Sequence, residues 1–175
     1  MNECQVTGKF DRVVSVEMFE HMRNQGALLR RISTWLEPTG KVLIHIFCHR
    51  QTPYLFQPEG EADWMAKYFF TGGMMPSEDL FSHLQADLAL SRQWTWEGTH
   101  YERTSNDWLQ NMDVHHETIL PLFRETYGTQ EAKLWWNRWR VFFMACAELF
   151  GYRSGGEWYV THALFVPQSA TVDAS

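Results

Sequence analysis

Phe10, Val13, Val14 and Val16 form an apolar run of strand length that breaks abruptly into Glu17, Glu20 and His21. A β-branched run of this kind, bounded by polar residues, predicts a buried strand. Leu28, Leu29, Ile32, Trp35 and Leu36 then fall at i, i+1, i+4, i+7 and i+8, the single apolar stripe of a helix lying on a sheet, and Pro38 and Gly40 predict its end. Residues 41–48, KVLIHIFC, are a second β-branched run. Strand, helix and strand in roughly 35 residues make a βαβ unit, hence a parallel pair with a right-handed crossover.

From 49 to 71 the pattern turns irregular and aromatic, with Tyr54, Phe56, Trp64, Tyr68, Phe69 and Phe70. It reads as an insertion with the character of a cap. GGMMPS supplies a Gly-Gly turn, and Ser77, followed by Glu78 and Asp79, predicts a capped helix reaching about Asp87. Residues 90–99 suit a third strand, 104–127 and 130–150 two helices parted by Gly128, and 157–166, EWYVTHALFV, a final strand. The second of those helices carries Trp135, Trp136, Trp139, Phe142, Phe143, Met144, Leu149 and Phe150. That stripe reads first as core and second as a wall of an apolar substrate pocket. No internal repeat is found, and the polar tail at 168–175 is expected to be disordered.

Composition narrows the class. The 175 residues, 45% hydrophobic and 15% aromatic, make one domain with ample core. A net charge of -6 and the lack of any long Lys/Arg cluster argue against nucleic acid as a partner. Cys4, Cys48 and Cys146 have no CxxC spacing and suit free thiols in a reducing compartment, so a cytoplasmic location is expected. Acidic residues in the first thirty positions spoil a signal peptide, and no apolar run approaches the roughly 20 residues of a spanning helix.

The candidate chemistry sits where strand 10–16 ends. In an open α/β sheet ligands bind beyond the carboxyl ends of the strands, so Glu17, Glu20 and His21 stand at the position where such a fold keeps its crevice. His45 and His49, four apart on a strand, face one side while Cys48 faces the other, which argues against a shared metal site. His115 and His116 read as surface.

Strand, acidic turn, helix, LEPTGK turn and second strand together look like the middle of a class I S-adenosylmethionine-dependent methyltransferase. SVEMFEHMRN, HIFCHR, DWMAKYFFTGGMMPS, HYERT, and RWRVFFMACAELFGY with EWYVTHALF resemble the branch of cyclopropane-fatty-acid synthases and coclaurine N-methyltransferase-like enzymes, over about residues 10–167. The resemblance implies an α/β, partial Rossmann-like methyltransferase fold made of the C-terminal strands of the sheet, with a helical insertion or cap. It implies that Glu20 and His21, with Glu17, hold an amine and take its proton, and that Val16 and His21 border S-adenosylmethionine. Glu17 tilts the substrate toward an amine, because cyclopropane synthases carry a small residue there; a lipid acyl chain is the alternative. His45 and Tyr101 match positions that with Glu20 bind bicarbonate in cyclopropane synthases, whose further cysteine ligand would lie upstream. Cys146 matches a cysteine often designated active-site; on an aromatic helix it reads instead as a small buried hydrophobe, since methyl transfer from a sulfonium needs no enzyme nucleophile. Ala163 replaces a usual Tyr, which is expected to loosen the last strand.

The resemblance also implies that the three strands, the Gly-rich turn and the ribose-binding acid of the family precede this stretch. No GxGxG occurs in the chain, and neither Gly72-Gly73 nor Gly155-Gly156 follows a strand in the manner of a dinucleotide turn. The expectation is a fragment, a mis-started gene model or a degenerate copy that alone binds S-adenosylmethionine weakly and is inactive. A non-catalytic module that pairs with a second copy or a complementing chain is the reading from another class.

Overall fold

The computed structural model describes residues 6–60 and 63–168. Cys4 and most of the polar tail lie outside the described residues. The chain groups into two compact units, one made of residues up to Thr95 together with those from Val160, the other running from Trp96 to Tyr159.

In the first unit β1 (Phe10–Val16), α1 (Gln25–Ser33) and β2 (Leu36–His49) form the expected unit, with β1 and β2 parallel. Asn24 caps α1 by accepting from the Ala27 N–H at 3.0 Å, and Leu28, Leu29 and Ile32 are its buried stripe. The helix ends at Ser33, three residues before Leu36, and Pro38 and Gly40 lie inside β2 rather than after a helix. Leu36 is drawn into the sheet because it pairs with Phe10. A register irregularity between Phe10 and Arg12 takes up the extra residues at Gly40, where a Cβ would stand 3.0 Å from the Phe10 carbonyl oxygen. The sheet continues through β5 (Leu88–Trp96) and β6 (Trp158–Pro167) in the order β1-β2-β6-β5, so the last strand lies inside the sheet.

Period two then divides the strands. Val42, Ile44 and Ile46 of β2 and Ala163 and Phe165 of β6 join Leu28, Leu29 and Ile32 in the core, while His45 and His162 project from the opposite face. β1 lies at the sheet edge. Only Val13 and Ser15 turn inward there; Phe10, Val14 and Val16 are exposed, so the apolar run is a buried strand in composition but an apolar edge in this chain.

The insertion is a small antiparallel ribbon of β3 (Tyr54–Leu55) and β4 (Met74–Met75) with a short α2 (Trp64–Tyr68). No helix runs from Ser77 to Asp87; a single 3-10 turn, Leu80–His83, stands there. Ser77 is held in a bridge to His49, and the Leu90 N–H is taken by Gln85, so the chain is already extended where a helix would need to propagate.

The second unit contains α3 (Gly98–Val114), α4 (His116–Tyr127) and α5 (Ala132–Gly151). The expected helix over 104–127 is two helices, broken at His115, whose backbone leaves the helical region at φ -99, ψ 23. Arg140 of α5 makes a two-pronged ion pair with Asp113 of α3 at 2.7 and 2.9 Å. Cys146 is buried in α5, as are Trp136 and Phe150. Trp139 and Phe143, by contrast, line a cavity of about 770 Å³ with Trp108, Met112 and Phe123. The tryptophan stripe therefore divides between core and pocket wall. Ala163 is fully buried in the core of the first unit.

Candidate active site

The site is built at the carboxyl end of β1. Val16 pairs with His45 in the parallel register, and the next residue, Glu17, adopts φ +48 while its N–H donates to the His45 carbonyl at 3.1 Å. A non-glycine residue in the left-handed region is strained, and here the strain turns the chain off the strand into the 3-10 turn Phe19–His21. The turn is pinned from two sides. Gln25 Nε2 donates to the Phe19 carbonyl at 3.1 Å, and Gly73 lies so near that a Cβ on it would stand 2.6 Å from the Glu20 carbonyl oxygen.

Glu20 is consequently 1% exposed, and its Oε2 is buried with no hydrogen-bond partner among the described residues. Desolvation pushes its carboxyl up from 4.5 to about 7; the Glu17 carboxylate adds to the rise, while its own backbone N–H and His45 oppose it. His21 Nε2 is 3.7 Å from the other carboxyl oxygen, and its half-exposed ring stacks on Phe70 at 6.0 Å.

Beside this pair, His45 Nε2 is 3.1 Å from Glu17 Oε1, and His45 Nδ1 is 2.9 Å from His162 Nε2. The His162 ring stacks on Trp94 at 5.2 Å with only 4° between the planes. Glu17, His45, His162 and Trp94 thus form one row in the strand order β1-β2-β6-β5. Both nitrogens of His45 are engaged and a carboxylate stands at one of them, so the bicarbonate expectation gains no support. Tyr101 lies in α3 of the other unit, its ring 4.6 Å from that of Phe150. No group of three metal-ligating side chains occurs among the described residues, and none of their helices is long and apolar enough to cross a membrane.

The family model for mycolic acid cyclopropane synthetase matches residues 2–157. The chain belongs to that family. Within the cyclopropane synthetase family and its relatives, the chain is 39% identical to the (S)-coclaurine N-methyltransferase of Thalictrum flavum subsp. glaucum and 38% to that of Papaver somniferum. These alignments cover 89% and 90% of this chain but 44% and 46% of the relatives, so the chain spans less than half the length of the curated relatives it matches. A crystal structure of coclaurine N-methyltransferase bound to N-methylheliamine and SAH superposes with a TM-score of 0.85 at 35% identity, over 94% of this chain and 48% of that one. The cyclopropane synthase MmaA2 from Mycobacterium tuberculosis shares the fold, with a TM-score of 0.72 at 20% identity over 91% and 56% of the two chains. The fold is accordingly that of the class I S-adenosylmethionine-dependent methyltransferases.

Of the residues singled out in this family member's sequence, Val16, Glu17, Glu20, His21 and His45 come together in the first unit, whereas Tyr101 and Cys146 belong to the second. His162 was missed. Its signal was its place between inward-facing Thr161 and Ala163 on an alternating strand, but nothing in the sequence shows that this strand enters the sheet beside β2.

Proposed function

We propose that the protein carrying this chain methylates a small-molecule amine, with Glu20 as the proton acceptor. The observation that carries the reading is the buried Oε2 of Glu20, held without a hydrogen-bond partner among the described residues, in a carboxyl that burial pushes up to about 7. An ammonium nitrogen has no lone pair to offer, so it must lose a proton before it can be methylated. A carboxylate whose pKa matches the working pH combines a useful ionised fraction with proton-accepting power. Glu20 would accept that proton at Oε2, His21 would orient the amine from the exposed side, and Glu17 would keep the surroundings anionic.

The donor set fits S-adenosylmethionine as well, because carboxylates favour a cationic sulfonium. Val16, exposed at the end of β1, and His21 would border it. When bound, it supplies the methyl group. Identity to coclaurine N-methyltransferases supports the amine over a lipid acyl chain, the substrate class of the cyclopropane-fatty-acyl-phospholipid synthase of Escherichia coli (strain K12), to which the chain is 25% identical.

Mass spectrometry tests the choice. The protein carrying this sequence, given S-adenosylmethionine with a panel of secondary amines and separately with phospholipid vesicles, is expected to yield amines heavier by one CH₂ on nitrogen. A cyclopropane ring in an acyl chain with the amines untouched contradicts the reading.

A further inference from the structure

We infer that His162 is a positioning residue of this site: through its Nε2 contact with His45 Nδ1 it fixes His45 as the tautomer that carries its proton on Nε2, toward Glu17. The inference rests on the methyl-transfer reading for its consequence, but its geometry stands apart from it.

His45 Nε2 stands 3.1 Å from Glu17 Oε1, an ion-pair distance, so the tautomer is decided at the other nitrogen. The 2.9 Å contact on the other side holds a single proton between two imidazole nitrogens. Two arrangements are open. In the first, His162 Nε2–H donates to the Nδ1 lone pair of a neutral His45, and His162 Nδ1 keeps only a lone pair. In the second, His45 Nδ1–H donates to the Nε2 lone pair of a neutral His162, which must then carry its own proton on Nδ1. That atom is buried and has no partner among the described residues. A buried N–H without an acceptor is much rarer than a buried lone pair without a donor, so the first arrangement is favoured.

The surroundings agree. Burial pushes His162 down from its ordinary value, so it does not itself become the cation. Its far side is closed by Trp94, over which the Arg92 guanidinium sits at 5.2 Å from the ring centroid. Among the described residues, the charged and titratable groups near the row include Glu17, Glu20 and His21 from the β1 end, His45 from β2 and Arg92 from β5, while Arg50, Glu78 and Asp79 line a pocket with Trp94. The Glu17 carboxylate helps hold Glu20 protonated. A second proton on His45 would favour ionised Glu20 and weaken it as a base.

Nitrogen-15 NMR of the imidazoles at neutral pH reads the tautomer without any turnover. His45 protonated on Nε2 with a bare Nδ1 is expected; Nδ1 protonated, alone or in an imidazolium, overturns the inference. Two variants of the protein carrying this sequence extend the test. His162→Phe keeps a ring on Trp94 but removes the donor, whereas His162→Gln retains one. The acid limb of the kcat profile should move to lower pH by about half a unit or more in His162→Phe, with kcat down several-fold and KM within about twofold. His162→Gln should keep the wild-type limb. An unmoved limb in His162→Phe, or a limb moved equally by His162→Gln, overturns the inference. If the methylation reading alone fails, the methyl product is absent while the His45 tautomer is as expected.

Discussion

Glu20→Gln in the protein carrying this sequence is expected to lower kcat by about 10²-fold or more, the usual scale for losing a positioned acid or base. Glutamine keeps the shape of the side chain but accepts no proton, so the loss should fall on kcat and leave KM for the amine close to wild type. A second readout separates this from a folding defect. The Glu20 carboxyl titrates at about 7 in the folded chain against 4.5 for an unperturbed glutamate, so the folded state holds its proton more tightly than the unfolded state. The stability tied to that proton is complete below pH 4.5 and is lost as pH rises through about 7, a change of about 3 kcal/mol across the window. Unfolding free energy measured from pH 5 to 8 should therefore decline in wild type and be flatter in Glu20→Gln. Turnover near wild type in that variant would remove Glu20 from the chemistry.

Gly73→Ala should be the most damaging single-methyl change near the site. The added Cβ would stand 2.6 Å from the Glu20 carbonyl oxygen and 3.3 Å from the Phe56 ring. Backbone cannot swing aside as a flexible side chain can, so the Phe19–His21 turn has to shift and carry Glu20 with it. A displacement of catalytic groups by about 1 Å costs about 10²-fold in rate, and overpacking of this kind costs about 1 to 3 kcal/mol in stability. Gly72→Ala is the comparison. That position has φ +79 with nothing within 4 Å of the added atom, so strain should lower stability by about 1 kcal/mol while turnover survives. Equal loss of kcat in both variants, measured at a temperature where both are folded, would show that Gly73 does not place Glu20.

The elements that could be read from sequence are those in which one local signal decided the structure. The β1, α1 and β2 unit followed from two β-branched runs and a single apolar stripe, and the acidic turn after Val16 named residues that the structure brings together at the carboxyl end of β1. Reading failed where a tertiary partner overrode the local pattern. Trp35 and Leu36 continue the helical spacing by coincidence, but Leu36 pairs with Phe10 and starts a strand. Ser77 has the residue type of a helix cap, yet it is held by His49 and only one 3-10 turn follows. His162 was out of reach for a topological reason, since a strand at the end of the chain enters the sheet beside β2 and brings a second imidazole to His45.

Burial beside Glu17 gives Glu20 a carboxyl poised at neutral pH. Carbon-13 NMR of the glutamate side-chain carboxyls, with the Glu20 signal assigned by its absence in Glu20→Gln, measures this directly. A titration midpoint of about 7, well above the ordinary 4.5, is the expected result. A midpoint at the ordinary 4.5 would contradict it, because Glu20 would then be fully ionised at neutral pH and too weak a base for the role assigned to it.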